Sequence, residues 1–368
     1  MPGQRVVLLT GAGFSVPAGY DTLRLIVDSI RGVHIPLNNQ SPEVQTVKAT
    51  WDIVQSDKGD NATLEHLLAR IKHYSETADM IRNNSIFAQN LQANLAHIYN
   101  GQFKSLWENA LSYCFNLVLE NYGPHKVNIE SDGYKLIVKA LKRLAELNDN
   151  CLHIFTTNYD CLLHVIASNT RDINFYSHIS NQRDQNGQFQ NDWFVTNPDM
   201  YNASNPNIYV HRLHGCVAWF FDLRAESRVH EVFGAGKKLT IRDPQKLNQM
   251  AIKLISNDNI GSIPAFSRTF TELYHVLGDC GNLLVWGHSF RDLELLRCMI
   301  SVLENRKEHP YKTYFIDPYE NEDTICENIT NTVMGVPGIP CHILSPKEFG
   351  WLPDEGLNSF NRSIKRII

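Results

Sequence analysis

The side chains in this sequence that are suited to chemistry fall in three short clusters. Thr157-Asn158-Tyr159-Asp160 sets an amide and a carboxylate two residues apart, directly after the apolar run Cys151-Leu152-His153-Ile154-Phe155. His214-Gly215 closes a further strand, Ile208–Leu213, and Gly11-Ala12-Gly13-Phe14-Ser15 follows another apolar run, Val6–Leu9. Glycine turns let backbone N–H groups approach a phosphate closely, and Asp or Asn can hold ribose hydroxyls. The set therefore suits a nucleotide. Two stricter signatures are incomplete: Val16 stands where a dinucleotide fingerprint has its third glycine, and no Gly-Lys-Ser/Thr follows the first turn. Without that lysine, phosphoryl transfer is disfavoured.

A dinucleotide with a good leaving group fits these residues better. The nicotinamide of NAD⁺ is already cationic, so its bond to ribose breaks without a general acid. Catalysis then consists of stabilising an oxocarbenium-like state and positioning a nucleophile. Asn158 can orient a water or a ribose hydroxyl without adding charge. A neutral His214 can accept a proton. His211 and His214 form an H-x-x-H, but positions i and i+3 of a strand face opposite sides and do not readily share an ion. The eight cysteines include no C-x-x-C pair, so no zinc ribbon is written here.

These residues need a scaffold that brings distant turns together. Five apolar strands end in small or polar side chains: at Gly11/Gly13/Ser15, Thr157/Asn158/Asp160, His214/Gly215, Gly287/Ser289 and Asp317. In a doubly wound sheet such carboxyl ends lie along one edge, where ligands bind. The predicted fold is α/β, a doubly wound, Rossmann-like, mostly parallel sheet. A helix follows the first turn through Leu23, Ile26, Val27 and Ile30, and others lie at 136–144, 162–166 and 270–277. Residues 33–125 read as a helical insertion or cap, with 33–60 as a loop and apolar stripes at Leu64, Leu67, Leu68, Ile71 and at Trp107–Val118. Residues 181–206, rich in Asn, Gln, Asp and Gly, read as a surface excursion with one strand near Trp193-Phe194-Val195.

Composition narrows the setting. Hydrophobic residues make up 43% and charged residues 20%, with a net charge of -5, which offers no general attraction to nucleic acid or anionic membrane. Lys237, Lys238, Arg242 and Lys246 read as a solvated basic segment. Neither a signal region nor a membrane-length apolar run is present in the 368 residues, and the expectation is a cytoplasmic protein.

Taken in order, the motifs resemble the sirtuin superfamily. Gly11-Ala12-Gly13-Phe14-Ser15, with Gly19 and Arg24, is similar to its first NAD-binding loop. Thr157-Asn158-Tyr159-Asp160 resembles the family's Gln-Asn-Ile-Asp, and Leu213-His214-Gly215 its catalytic-histidine motif. Gly287-His288-Ser289-Phe290 and Ile316-Asp317 stand where Gly-Thr/Ser-Ser and Ile-Asn are usual. The four-cysteine zinc module of the protein deacetylases is missing. The pattern looks more like the bacterial sirtuin-like effectors of antiphage defence, which hydrolyse NAD⁺ to nicotinamide and ADP-ribose.

The resemblance implies a single NAD-binding domain over 1–368, with Asn158 and His214 as the catalytic pair. It also implies that Gly11, Ala12, Gly13 and Ser15 hold the diphosphate of NAD⁺, with Phe14 and Thr157 as further cofactor contacts. Arg24 and Asp160 would line the nicotinamide side, and Gly287, Ser289 and Asp317 would lie against the adenosine half. No metal is implied. A homo-oligomer and a trigger such as a HerA-like ring ATPase are the implied partners. Rival readings are an NAD-dependent protein deacylase or ADP-ribosyltransferase, and a non-catalytic sensor of NAD⁺ or ADP-ribose.

Overall fold

The computed structural model describes residues 6–20, 27–29, 41–59, 62–83, 102–177, 194–195, 199, 201–222, 225–231, 250–252, 264–288, 292–306, 312–316 and 341–344. The chain opens with β1 (Val6–Thr10) and the short turn α1 (Ala12–Ser15), then the helices α2 (Pro42–Lys58), α3 (Leu64–Asn83), α4 (Gln102–Tyr122) and α5 (Asp132–Leu147). Next come β2 (Cys151–Thr156), α6 (Leu162–Asn169), β3 (Asn174–Ser177), β4 (Phe194–Val195) and β5 (Asn207–Arg212). A hairpin, β6 (Gly215–Asp222) and β7 (Ala225–Glu231), and the short β8 (Met250–Ile252) follow. The remainder is α7 (Pro264–Asp279), β9 (Asn282–Trp286), α8 (Leu293–Asn305), β10 (Lys312–Ile316) and β11 (Cys341–Leu344).

Among the described residues the main sheet has eight strands in the order β11-β10-β9-β1-β2-β5-β3-β4, and only β4 runs antiparallel to its neighbour. The five strands singled out by sequence are contiguous in it, so their carboxyl ends share one edge. From β1 the chain order runs outward in both directions, to β2 on one side and β9 on the other, which makes the end of β1 the switch point.

Burial explains why these runs form parallel strands. All five residues of β1 are buried. Val6 and Leu8 join the larger core, with α3, α4, α5 and α6, whereas Val7 and Leu9 join a second core with α7 and α8. β9 splits the same way, Leu284 and Trp286 to one face and Leu283 and Val285 to the other. A strand covered on both faces has no polar alternation, which is why it reads as a continuous apolar run.

Local devices fix the register. The Asn148 amide donates to the Val6 carbonyl at 3.0 Å and also to the Cys151 carbonyl, while its oxygen accepts from the Val6 amide at 2.8 Å, so one side chain ties β1 to the start of β2. Ser131 caps α5 by accepting from the Tyr134 amide at 3.1 Å.

The helices α2, α3 and α4 pack on one another. Here the structure departs from the sequence reading. Residues 42–58 are helix, whereas the whole of 33–60 was expected to be a loop. Ser41 is the N-cap residue and Pro42 stands at the first helical position, where the absent N–H is no loss. Val44, Val47, Trp51 and Val54 then give that helix its buried stripe. The antiparallel sheet β7-β6-β8 was also not foreseen. No described helix is long and apolar enough to cross a membrane.

Candidate active site

Backbone hydrogen bonds extend past the strand ends and hold the turns side by side. Gly11 donates to the Trp286 carbonyl at 3.0 Å, Gly13 to Gly287 at 3.0 Å, and Gly287 to Ile316 at 2.8 Å. On the other side Thr157 donates to Thr10 at 3.2 Å and Leu213 to Thr156 at 2.9 Å. The two glycine turns touch. A Cβ on Gly13 would lie 2.8 Å from the Gly287 Cα, and Gly287 itself has φ +64°. These glycines therefore have a packing role, and the Gly11 and Gly13 amides already have protein acceptors. Phe14 is turned into the core, edge-on to Trp286 at 5.0 Å.

Asn158 sits just beyond β2 and is 8% exposed. Its Nδ2 donates to the Gly11 carbonyl at 2.9 Å and to Ser15 Oγ at 3.0 Å, which leaves the amide oxygen as the acceptor. Ser15 in turn hydrogen-bonds the Asp160 carboxyl. The other bond to that carboxyl comes from the Leu162 amide at 2.9 Å, at the start of α6. Burial holds the Asp160 pKa above the usual carboxylate range, although Ser15, the Leu162 amide and the Arg212 guanidinium all pull it down. Ser15, Asn158 and Asp160, from two adjacent strand ends, thus form one network.

The Ser15→Ala variant is expected to lose about 1–3 kcal/mol, since a buried carboxylate loses a donor. Asp160 has a folded pKa above its unfolded one, so its contribution falls as pH rises from the unfolded value through the folded one. The loss in Ser15→Ala should accordingly shrink as pH is lowered towards ~4, where a protonated Asp160 needs no charge-stabilising donor. Urea unfolding across this pH range measures it.

His214 occupies the turn between β5 and β6, which the positive φ of Gly215 (78°) allows. Its Nε2 pairs with Asp292 Oδ2, and both side chains are close to fully buried. The other oxygen of Asp292 caps α8, accepting from the Glu294 and Leu295 amides at 2.9 and 3.3 Å. His211 has different neighbours: it bonds His153 at 2.9 Å and stacks on Phe155 at 4.1 Å.

Asp292 was not singled out from the sequence. The signal available was its position as an N-cap ahead of the apolar Leu293–Leu296 segment. Arg212, buried at the end of β5, was also missed. Its guanidinium donates to the Asp160 carbonyl at 3.1 Å and the Asn158 carbonyl at 3.5 Å.

His288, beside this pair, has its pKa lowered to about 4, first by burial and then by repulsion from His214, with Asp292 opposing. A histidine depressed in the folded state contributes stability above its unfolded pKa that is lost as pH falls through the folded one. The thermal midpoint is expected to drop between pH ~6.5 and ~4. The His288→Gln variant should show a shallower drop on the same thermal scan.

Thr157 and Gly287 lie at the same sheet edge. Arg24, Ser289 and Asp317 lie outside the described residues, as does the basic segment 237–246. An open cleft of about 540 Å³ on α7 and α8, lined by Phe270, Tyr274 and Arg297 among others, contains none of the predicted site residues.

No family model matches the chain, and no curated protein does either. Among solved structures, one described under the mechanism and regulation of Sir2 enzymes is 13% identical with a TM-score of 0.43, covering 100% of this chain and 94% of that chain. A Sir2 homolog–NAD complex is 14% identical with a TM-score of 0.40, covering 99% and 90%. A Sir2 complex with an inhibitor, 2'-O-acetyl-ADP-ribose and a deacetylated p53 peptide is 12% identical with a TM-score of 0.36, covering 89% and 93%. At these identities and scores the likeness carries no functional argument.

Proposed function

We propose that the protein is a sirtuin-like NAD⁺ glycohydrolase that converts NAD⁺ and water to nicotinamide, ADP-ribose and a proton. One observation carries the reading: Asn158 and His214 close the neighbouring strands β2 and β5 at the carboxyl edge of the sheet, and a buried carboxylate backs the histidine. Asn158 also anchors the first turn and Asp292 also caps α8, but neither role calls for a histidine against that carboxylate. In this reading the ribose–nicotinamide bond breaks with its electron pair going to the nicotinamide, which leaves neutral. The Asn158 oxygen, its amide anchored on Gly11 and Ser15, orients the attacking water or a ribose hydroxyl. His214 takes the proton, and Asp292 holds the ring in place and stabilises the imidazolium.

The glycine turns at 11–13 and 287 pack against each other at the end of β1. Phosphates are assigned to the first turn through Ala12, with Thr157 adjacent, while Ser15 holds Asn158 and Asp160 from behind. Arg24, Ser289 and Asp317 keep the roles that the motif resemblance gives them. An NADase without control would drain its own cell. We therefore assign a gate to self-association or to a HerA-like ATPase partner, with the helices of the 33–125 region as the contact surface, and antiphage defence in the cytoplasm as the setting.

Product identification tests the reading. Incubation with NAD⁺ should yield free nicotinamide and linear ADP-ribose by mass spectrometry. ADP-ribose attached to protein, loss of an acyl group from an acyl-lysine peptide, or cyclic ADP-ribose as the main product would each contradict it.

A further inference from the structure

We infer that Cys161, His164 and Cys216 form a binding site for a thiophilic divalent cation of the zinc class, directly behind the Asn158 and His214 segments. All three side chains are buried, and their donor atoms lie within 4.8 Å of one another. The Cys161 and Cys216 sulfurs are 4.0 Å apart, and Cys216 Sγ is 3.9 Å from His164 Nδ1. Tetrahedral zinc with Zn–S near 2.3 Å and Zn–N near 2.0 Å places two sulfurs about 3.8 Å apart and sulfur and nitrogen about 3.5 Å apart. Two of the three separations need to close by only a few tenths of an ångström, and the Cys161–His164 pair, within 4.8 Å, by up to about 1.3 Å. Two thiolates and an imidazole are also the donor set that selects zinc over harder cations.

The fold explains how the donors meet. Cys161 immediately precedes α6 and His164 lies in its first turn, so the pair shares a helix face. Cys216 is the second residue of β6, and the adjacent Val217 amide donates to the Tyr159 carbonyl at 2.9 Å. Cys161 is three residues past Asn158, and Cys216 is two past His214. A cation held by both cysteines therefore joins the two segments that carry the reaction residues. Sequence spacing hid this set, because Cys216 lies 52 residues from His164 and only the pairing of β2 with β5 brings it near.

Arg212 is the competing group. Its guanidinium lies 2.7 Å from His164 Nδ1 and, in the metal-free form, donates to it. Loading expels the two thiol protons, so Zn²⁺ with two thiolates is neutral and does not repel the guanidinium. Arg212 retains the Asp160 and Asn158 carbonyls while the imidazole turns to the cation. The Asp160 carbonyl, which is 3.4 Å from Cys216 Sγ, or a water completes the coordination.

The test is metal content of the full chain purified without chelators from zinc-supplemented cells. About one zinc per chain is expected by elemental analysis, falling to background in Cys161→Ser and Cys216→Ser. Cobalt reconstitution of the wild-type chain should give thiolate-to-cobalt charge-transfer bands and tetrahedral d–d bands, a readout that stands even if the serine variants misfold. The inference is overturned if folded wild-type chain holds neither zinc nor cobalt. It is equally overturned if Cys216→Ser keeps its zinc, or if the native chain carries a Cys161–Cys216 disulfide, two hydrogens lighter by mass.

Discussion

Replacing His214 with alanine is expected to slow nicotinamide release by about 10²–10⁴-fold, the usual contribution of a positioned general base. Asp292 keeps its two bonds to the start of α8 when the imidazole is removed, which limits the cost of losing its buried partner. A circular-dichroism spectrum matching the wild type, together with the lost rate, separates chemistry from unfolding. Asp292 allows a finer division because its two oxygens do different work. The Asp292→Asn variant keeps a good N-cap for α8, yet removes the charge facing His214 and offers that ring an N–H in its place. We expect kcat to fall by about 10–100-fold, the range seen when a supporting partner is lost, with KM and stability little changed. Asp292→Ala should lose the same rate and also about 0.5–2 kcal/mol of stability with the cap. If Asp292→Asn were as active as wild type, the carboxylate would be only a cap.

Gly287→Ala is expected to have the largest effect on stability. The position has φ +64°, and an added Cβ would lie 2.4 Å from both the Gly13 Cα and the Phe14 amide nitrogen. Left-handed backbone costs a non-glycine residue about 1–2 kcal/mol, and overpacking adds about 1–3 kcal/mol. Neither neighbour can move cheaply, because both are backbone and Gly13 is bonded to the Gly287 carbonyl at 3.0 Å. The sum, roughly 2–5 kcal/mol, should lower the thermal midpoint by about 3–6 °C in a chain of 368 residues. Activity should fall with it even well below that midpoint, since the displaced turn carries Ser15, which anchors Asn158.

Much of this arrangement was legible in the sequence because a strand buried on both faces leaves a continuous apolar run. Val6–Leu9 and Asn282–Trp286 each announced a parallel strand, and each ended in residues unsuited to a core. Helix Pro42–Lys58 was legible too, from Ser41 ahead of Pro42 and the spacing of Val44, Val47, Trp51 and Val54, but the proline was read as a breaker. Partners supplied by distant segments were hidden for a physical reason. Asp292 reaches His214 only because β9 lies in the sheet beside β1, and Cys216 reaches Cys161 only because β5 lies beside β2. Spacing along the chain carries neither contact. The glycines were read for their access to phosphate, and the structure adds a second reason for them, the contact between two turns.

The central claim is that the edge carrying Asn158 and His214 cleaves the nicotinamide–ribose bond. Chromatographic quantification of nicotinamide from NAD⁺, with and without a candidate HerA-like partner, tests it most directly. The account predicts nicotinamide and ADP-ribose in equal amounts from wild-type chain, and losses of at least about 10²-fold in both Asn158→Ala and His214→Ala. Undiminished release by either variant, or no release by the wild type under any of these conditions, would contradict it.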